Sequence, residues 1–194
     1  MKIGVLALQG DFALHARALG KCGAEVVEIR RPEQLADIDG LIMPGGESTT
    51  LLKLMDLWGF VPALEKFHGS GKPIFGTCAG LILAAREVSN PTQLSLNLID
   101  VGVERNAYGR QRESFATPGT VTLDGQTVPL QMVFIRAPRI RRVGESVQTL
   151  ASHDGEAVMA RQGTVLVATF HPELTDDPTV HAYFVRMVRQ ARGA

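Results

Sequence analysis

The chain is poor in cysteine: Cys22 and Cys78 are the only two in 194 residues. Two isolated cysteines make no disulfide framework, which argues against a stapled secreted fold and for a reducing, cytoplasmic setting where a reactive thiol stays free. Charge of either sign in excess is missing too, because 20 Lys and Arg balance 20 Asp and Glu. No global field therefore draws the chain to nucleic acid or to an anionic membrane surface. No apolar run approaches the ~20 residues of a spanning helix. The opening MKIGVLALQGD has too short an apolar part, and turns acidic too soon, for a signal peptide. The Cys and His spacings fit no zinc pattern, so no metal is expected, and no Gly-Lys-Ser/Thr phosphate loop is present. Internal repeats, low-complexity tracts and linkers are also lacking. With 45% hydrophobic residues, the length suits one domain, residues 1–194, with a sizeable core.

Apolar runs of strand length recur with helical segments between them. KIGVLAL, AEVVEIR, DGLIMPGG, KPIFGTC and TVLVATF read as buried strands. FALHARALGKCG, STTLLKLMDLWGF (opened by Ser48 and Thr49), AGLILAAREV and TVHAYFVRMVRQAR read as helices. Such alternation predicts an α/β fold, a mostly parallel sheet in three layers with helices on both faces. From about Val101 to Val158 the composition shifts to β-branched residues, Gly and Pro, and LDGQ signals a hairpin turn. That part is expected to carry inserted antiparallel strands.

Cys78 sits in FGTCAGL, at the carboxyl end of a predicted strand, where open parallel sheets place their sites. Gly76, Cys78 and Gly80 have the spacing of a nucleophile elbow, a strained strand-to-helix turn that bulky neighbours would block. The following helix aims its amides at the sulfur and stabilises negative charge there. The Ala79 amide is placed to donate to an oxyanion. A small buried cysteine in a close-packed turn is the other reading. Cys22, on the apolar face of a helix, reads as core.

Five histidines compete for the role of base. His15 and His181 fall in helices and His68 at a helix end, which suggests structural or exposed positions. His153, in a turn, is a rival. His171 follows the buried strand TVLVATF, and Glu173 in FHPE is placed to return and fix its tautomer. A capping His and Glu at a helix entry would look the same. A third strand end, MPGGEST, offers two glycines whose amides can approach a ligand closely; a plain strand-to-helix turn is the alternative. Together the three strand ends describe a thiol acyl-transfer site, with the attacked carbonyl left open.

PGGES, GTCAG and FHPE, in this order and at these distances, resemble the class I (triad) glutamine amidotransferases, whose sheet is flavodoxin-like. GVLALQGDF, MPGGESTT, GTCAGLILAA, VERNAYGRQRESF, VFIRAP and ATFHPELTDD are similar to the glutaminase subunits of pyridoxal 5'-phosphate synthases within that family, almost end to end. The resemblance implies hydrolysis of L-glutamine to glutamate and ammonia, with Cys78 as nucleophile, His171 as acid and base, and Glu173 orienting it. It further implies that Gly46, Glu47, Ser48, Arg105, Ile135 and Arg136 hold the substrate, with Gly46 and Ala79 at the oxyanion, whereas Arg110 and Arg112 read as surface charge. No cofactor is implied for this subunit. The implied partner is a (β/α)8-barrel synthase subunit, twelve of each in the complex, which uses the ammonia to build pyridoxal phosphate. A peptidase-like cysteine enzyme, a glutaminase serving another synthesis, or a binding module without catalysis are the rival readings.

Overall fold

The computed structural model describes residues 1–106 and 114–193. Most of VERNAYGRQRESF, with Arg110 and Arg112, therefore lies outside the described residues. Five apolar runs of four or five residues form parallel strands: β1 (Lys2–Leu6), β2 (Glu25–Ile29), β3 (Gly40–Met43), β4 (Ile74–Thr77) and, late in the chain, β12 (Val165–Ala168). Between them the chain forms α1 (Phe12–Lys21), α2 (Ser48–Leu57), α3 (Phe60–Gly69) and α4 (Ala79–Ala84). Seven further strands follow α4: β5 (Ala85–Ser89), β6 (Ile99–Glu104), β7 (Ser114–Leu123), β8 (Gln126–Ile135), β9 (Arg139–Val143), β10 (Gln148–His153) and β11 (Glu156–Gln162). A closing helix, α5 (Thr179–Arg192), comes after β12.

The main sheet runs β10-β11-β12-β4-β3-β1-β2, with β11 antiparallel to both its neighbours. Its parallel part has the flavodoxin-like order, in which ligands bind beyond the strands' carboxyl ends near the switch from β1 to β3. Alternate side chains enter opposite cores, as the period of two requires. Leu41, Met43, Ile74, Val165 and Val167 pack on one face with Leu51, Leu64 and Leu81 from α2, α3 and α4. Ile42, Phe75, Leu166 and Ala168 pack on the other with Leu19 of α1 and Phe184 and Val188 of α5. Three layers result. The β7–β8 hairpin turns on Asp124 and Gly125, both at positive φ (51° and 81°), the turn that LDGQ predicts.

Three sequence expectations need correction. The helix expected over STTLLKLMDLWGF is two helices, because Gly59 adopts φ 74° and breaks the run between α2 and α3. The helix expected over AGLILAAREV ends at Ala84; Ala85 turns extended and starts β5, which pairs with β6. Within the span expected to carry inserted antiparallel strands, β6–β9, β7–β8 and β10–β11 do pair antiparallel, and β5, which precedes it, adds a parallel pair to β6. Cys22 is only half-buried and caps α1 in a Schellman turn, where Gly23 (φ 75°) and the Ala24 amide satisfy carbonyls of the last turn.

Candidate active site

The Gly-x-Cys-x-Gly segment folds as the elbow its spacing predicts. Cys78 lies between β4 and α4 at φ 48° and ψ −100°, a region L-residues rarely occupy, and its amide donates to the Ala168 carbonyl of β12 at 3.0 Å. The turn closes because its glycines lack side chains. A Cβ on Gly76 would stand 2.7 Å from the Gly80 carbonyl carbon, and one on Gly80 would collide with the Met43 carbonyl of β3. Small residues surround Cys78 because backbone occupies the space around it.

His171 follows β12 and its amide donates to the Val133 carbonyl of β8 at 2.8 Å. Its Nδ1 meets Glu173 Oε1 at 2.7 Å, both side chains being buried. Pro172 opens the short 3-10 turn (Pro172–Leu174) that lets Glu173 reach back. Cys78 and His171 converge on one backbone atom: a Cβ on Gly45 would stand 2.6 Å from His171 Cε1 and 3.5 Å from Cys78 Cβ. His171 Nε2 has no hydrogen-bond partner of good geometry among the described residues, yet the thiol is near enough to act on the ring. Burial alone would push the imidazole down. Hydrogen bonding and charge from Cys78 and Glu173 outweigh it and raise the pKa to about 10. The site thus favours an imidazolium held between sulfur and carboxylate.

The glycine loop after β3 packs against the loop after β1. Gly10 (φ 93°) lies so close to the Gly45 carbonyl that no side chain fits. Gly46 (φ 148°) lies against the Gln9 side chain, whose Oε1 accepts from the Glu47 amide at 3.0 Å. Ser48 and Thr49 open α2 as the sequence suggests, and Glu47 caps it. Its carboxylate accepts from the Thr49 and Thr50 amides at 3.0 and 2.7 Å and from the Thr50 hydroxyl at 2.8 Å. Burial works against this carboxylate, but those hydrogen bonds prevail and hold its pKa at about 2. The Arg105 guanidinium reaches Glu47 at 3.5 Å and the Thr49 hydroxyl at 2.8 Å. Ser48 is buried, its hydroxyl donating to Gln93 Oε1 at 3.1 Å. Ile135 ends the strand that anchors His171, and Arg136 follows it in a bend at φ 43°. Ala79 opens α4, directly after the nucleophile position.

His153, the rival base, stacks on Phe134 and packs against Phe115, with ring centroids 5.5 and 5.7 Å away. Two helical histidines are the larger surprise. His15 and His181 are fully buried. His15 Nδ1 meets His181 Nε2 at 3.0 Å, and its Nε2 stands 3.1 Å from Thr77 Oγ1 and 3.3 Å from Glu173 Oε2. The spacing held a signal for both: His15 precedes Leu19 by four residues and His181 precedes Phe184 by three, each on its helix's buried stripe. Gln93 carried no comparable signal. Asp11 adds a carboxylate: one ligand atom each of Asp11, His171 and Glu173 lies within 4.8 Å of the others. No metal-ligand spacing had pointed to that cluster, and the His171 and Glu173 atoms in it already bond each other.

A thiol at an elbow, an imidazole bonded to a carboxylate and a glycine loop beside them meet at the carboxyl ends of the strands of an open α/β sheet, the arrangement of a candidate active site. The chain belongs to the SNO glutamine amidotransferase family, whose profile matches residues 5–190, and it is accordingly an enzyme that acts on glutamine. It is 53% identical over 192 residues to the pyridoxal 5'-phosphate synthase subunit PdxT of Niallia circulans, covering 99% of this chain and 100% of that one. The same subunit from Koribacter versatilis is 54% identical over 189 residues, 97% and 96% of the two chains. A crystal structure of a glutamine amidotransferase superposes with a TM-score of 0.89 at 46% identity, over 96% of this chain and 98% of that one.

Proposed function

We propose that this chain, as one glutaminase domain, supplies ammonia within a pyridoxal 5'-phosphate synthase. The observation that carries the chemistry is the convergence of Cys78 and His171 on Gly45, with Glu173 Oε1 2.7 Å from His171 Nδ1. Cys78 sulfur attacks the side-chain carbonyl carbon of glutamine, and the oxyanion is held by the Gly46 and Ala79 amides. His171 gives its proton to the departing ammonia, leaving a glutamyl thioester on Cys78. It then takes a proton from the water that attacks the thioester, and glutamate leaves as the Cys78 thiolate is freed, which restores the imidazolium. Glu173 orients the ring throughout. Glu47, Ser48, Arg105, Ile135 and Arg136 line the substrate side; Arg105 is already fixed by Glu47 and Thr49.

The synthase assignment rests on the full-length relatives, which are about half identical. Free ammonia protonates in water and stops being a nucleophile, so a partner must take it directly. That partner is a (β/α)8-barrel subunit, twelve of each, in the cytoplasm; among the described residues no helix is long and apolar enough to cross a membrane. The partner also gates the reaction. The Gly45 carbonyl rests on Gly10, and Gln9 holds the Glu47 amide, so a contact at Gln9 and Gly10 is transmitted to the Gly45–Gly46 peptide. One lost oxyanion donor costs ~10²–10³ in rate. Ammonia release from the chain alone should therefore be slow and rise by about that factor when the synthase subunit is added. Equal rates before and after addition would refute the gating and leave the triad standing.

A further inference from the structure

Behind the triad lies a buried polar chain that none of the chemistry above uses. His15 on α1 and His181 on α5 are fully buried, and Thr77 is the residue before the nucleophile. Burying two imidazoles costs free energy unless their nitrogens are used. The contacts fix how they are used. His15 Nε2 stands 3.3 Å from Glu173 Oε2, close but outside hydrogen-bond geometry, and an ionised carboxylate so near repels a lone pair and favours a hydrogen on that nitrogen. The hydrogen bond of that N–H goes to Thr77 Oγ1 at 3.1 Å, with the Glu173 carboxylate beside it. Burial, and then the neighbouring His181 and His171, hold the His15 pKa well below 6.5, and a neutral ring has one hydrogen. His15 Nδ1 is therefore bare and accepts from His181 Nε2–H at 3.0 Å. Burial lowers the His181 pKa to about 4, so that ring is neutral too. Its Nδ1, which meets no partner among the described residues, is then a bare acceptor rather than an orphaned N–H. The opposite tautomers would set a lone pair against the carboxylate and strand an N–H in the core. The His181 N–H thus bonds His15, and the His15 N–H lies on the side that faces Glu173.

We propose that His15, backed by His181, is a positioning residue of the triad, holding Glu173 Oε2 so that Oε1 stays aimed at His171 Nδ1. The inference rests on the Cys78–His171–Glu173 reading above. His15 touches neither substrate nor sulfur, so its loss should appear in kcat and not in KM. Glutamine hydrolysis should be measured with the synthase subunit present for wild type, His15→Phe, His15→Gln and Cys78→Ala. His15→Phe keeps the ring and loses both nitrogens, and its kcat should fall about 10- to 100-fold, as on loss of an orienting partner, with KM unchanged. In His15→Gln the amide N–H reaches the Nε2 position and should restore most of the rate. Wild-type kcat in His15→Phe, or equal losses in both variants, would overturn the proposal. Activity in Cys78→Ala would instead refute the triad itself. Ring ¹⁵N spectra of the wild type give a test that does not depend on the variants folding. Both rings should be neutral with hydrogen on Nε2 at about pH 6, and a charged His15 or one with hydrogen on Nδ1 would overturn the inference.

Discussion

Cys78 holds a backbone conformation that costs ~1–3 kcal/mol, and the close contacts among Gly76, Gly80 and Met43 are what keep it there. The strain belongs to the backbone rather than to the thiol. Cys78→Ala should therefore keep the fold, seen as unchanged thermal unfolding and partner binding, while glutamine hydrolysis disappears. Wild-type ammonia release would remove the mechanism. Cys22→Ala touches only a half-buried helix cap and should keep full activity at a cost of ~1 kcal/mol or less. At the base, His171→Asn should abolish hydrolysis, whereas Glu173→Ala should lower kcat and leave glutamine binding nearly unchanged. If His153→Asn proved the more damaging histidine change, the base would be misassigned; its stacking against Phe115 and Phe134 argues otherwise.

Among the elements, glycines separate two kinds of constraint. Gly80 has no room: an added methyl meets the Met43 carbonyl, and backbone cannot step aside. Gly80→Ala should cost about 1–3 kcal/mol or more, and by pushing α4 off β3 it should also remove activity. Gly59 has open space around it but sits at φ 74° between α2 and α3. Gly59→Ala should cost only about 1–2 kcal/mol, from the left-handed backbone, and keep normal hydrolysis. Equal activity losses in the two variants would show that the elbow contact is not what Gly80 protects. Urea unfolding with a parallel activity assay measures both.

For the whole molecule, three buried histidines make stability depend on pH in opposite directions. His15 and His181 fold with lowered pKa values, His181 at about 4. The unfolded chain takes up protons near its ordinary value of 6.5 while the folded one does not, so their contribution is present above 6.5 and is lost as pH falls below it, down to about 4 for His181. His171 folds with its pKa raised to about 10. Its contribution is complete below 6.5 and drains away as pH rises to 10. The unfolding temperature should peak near pH 6.5, and His171→Asn should flatten the alkaline limb while leaving the acid limb in place. An alkaline limb unchanged in that variant would place the proton elsewhere.

Local chemistry carried much of this molecule in plain view. Spacing marks the elbow at Cys78, FHPE brings carboxylate to imidazole over two residues, and the alternating apolar runs announce a parallel sheet, because each of these depends on neighbours in the chain. LDGQ likewise encodes its own turn through residues that tolerate positive φ. Relations across the chain were not legible in that way. The helix predicted past Ala84 becomes β5 because its partner strand, β6, begins fourteen residues after β5 does. Glu47 caps α2 and receives Arg105 from 58 residues away. His15 and His181, 166 residues apart, meet behind Glu173 only when α1 and α5 pack on the same face of the sheet. A histidine on a buried stripe can be read from periodicity, but which carboxylate it faces is set by packing, where burial decides its charge and the partner decides its tautomer.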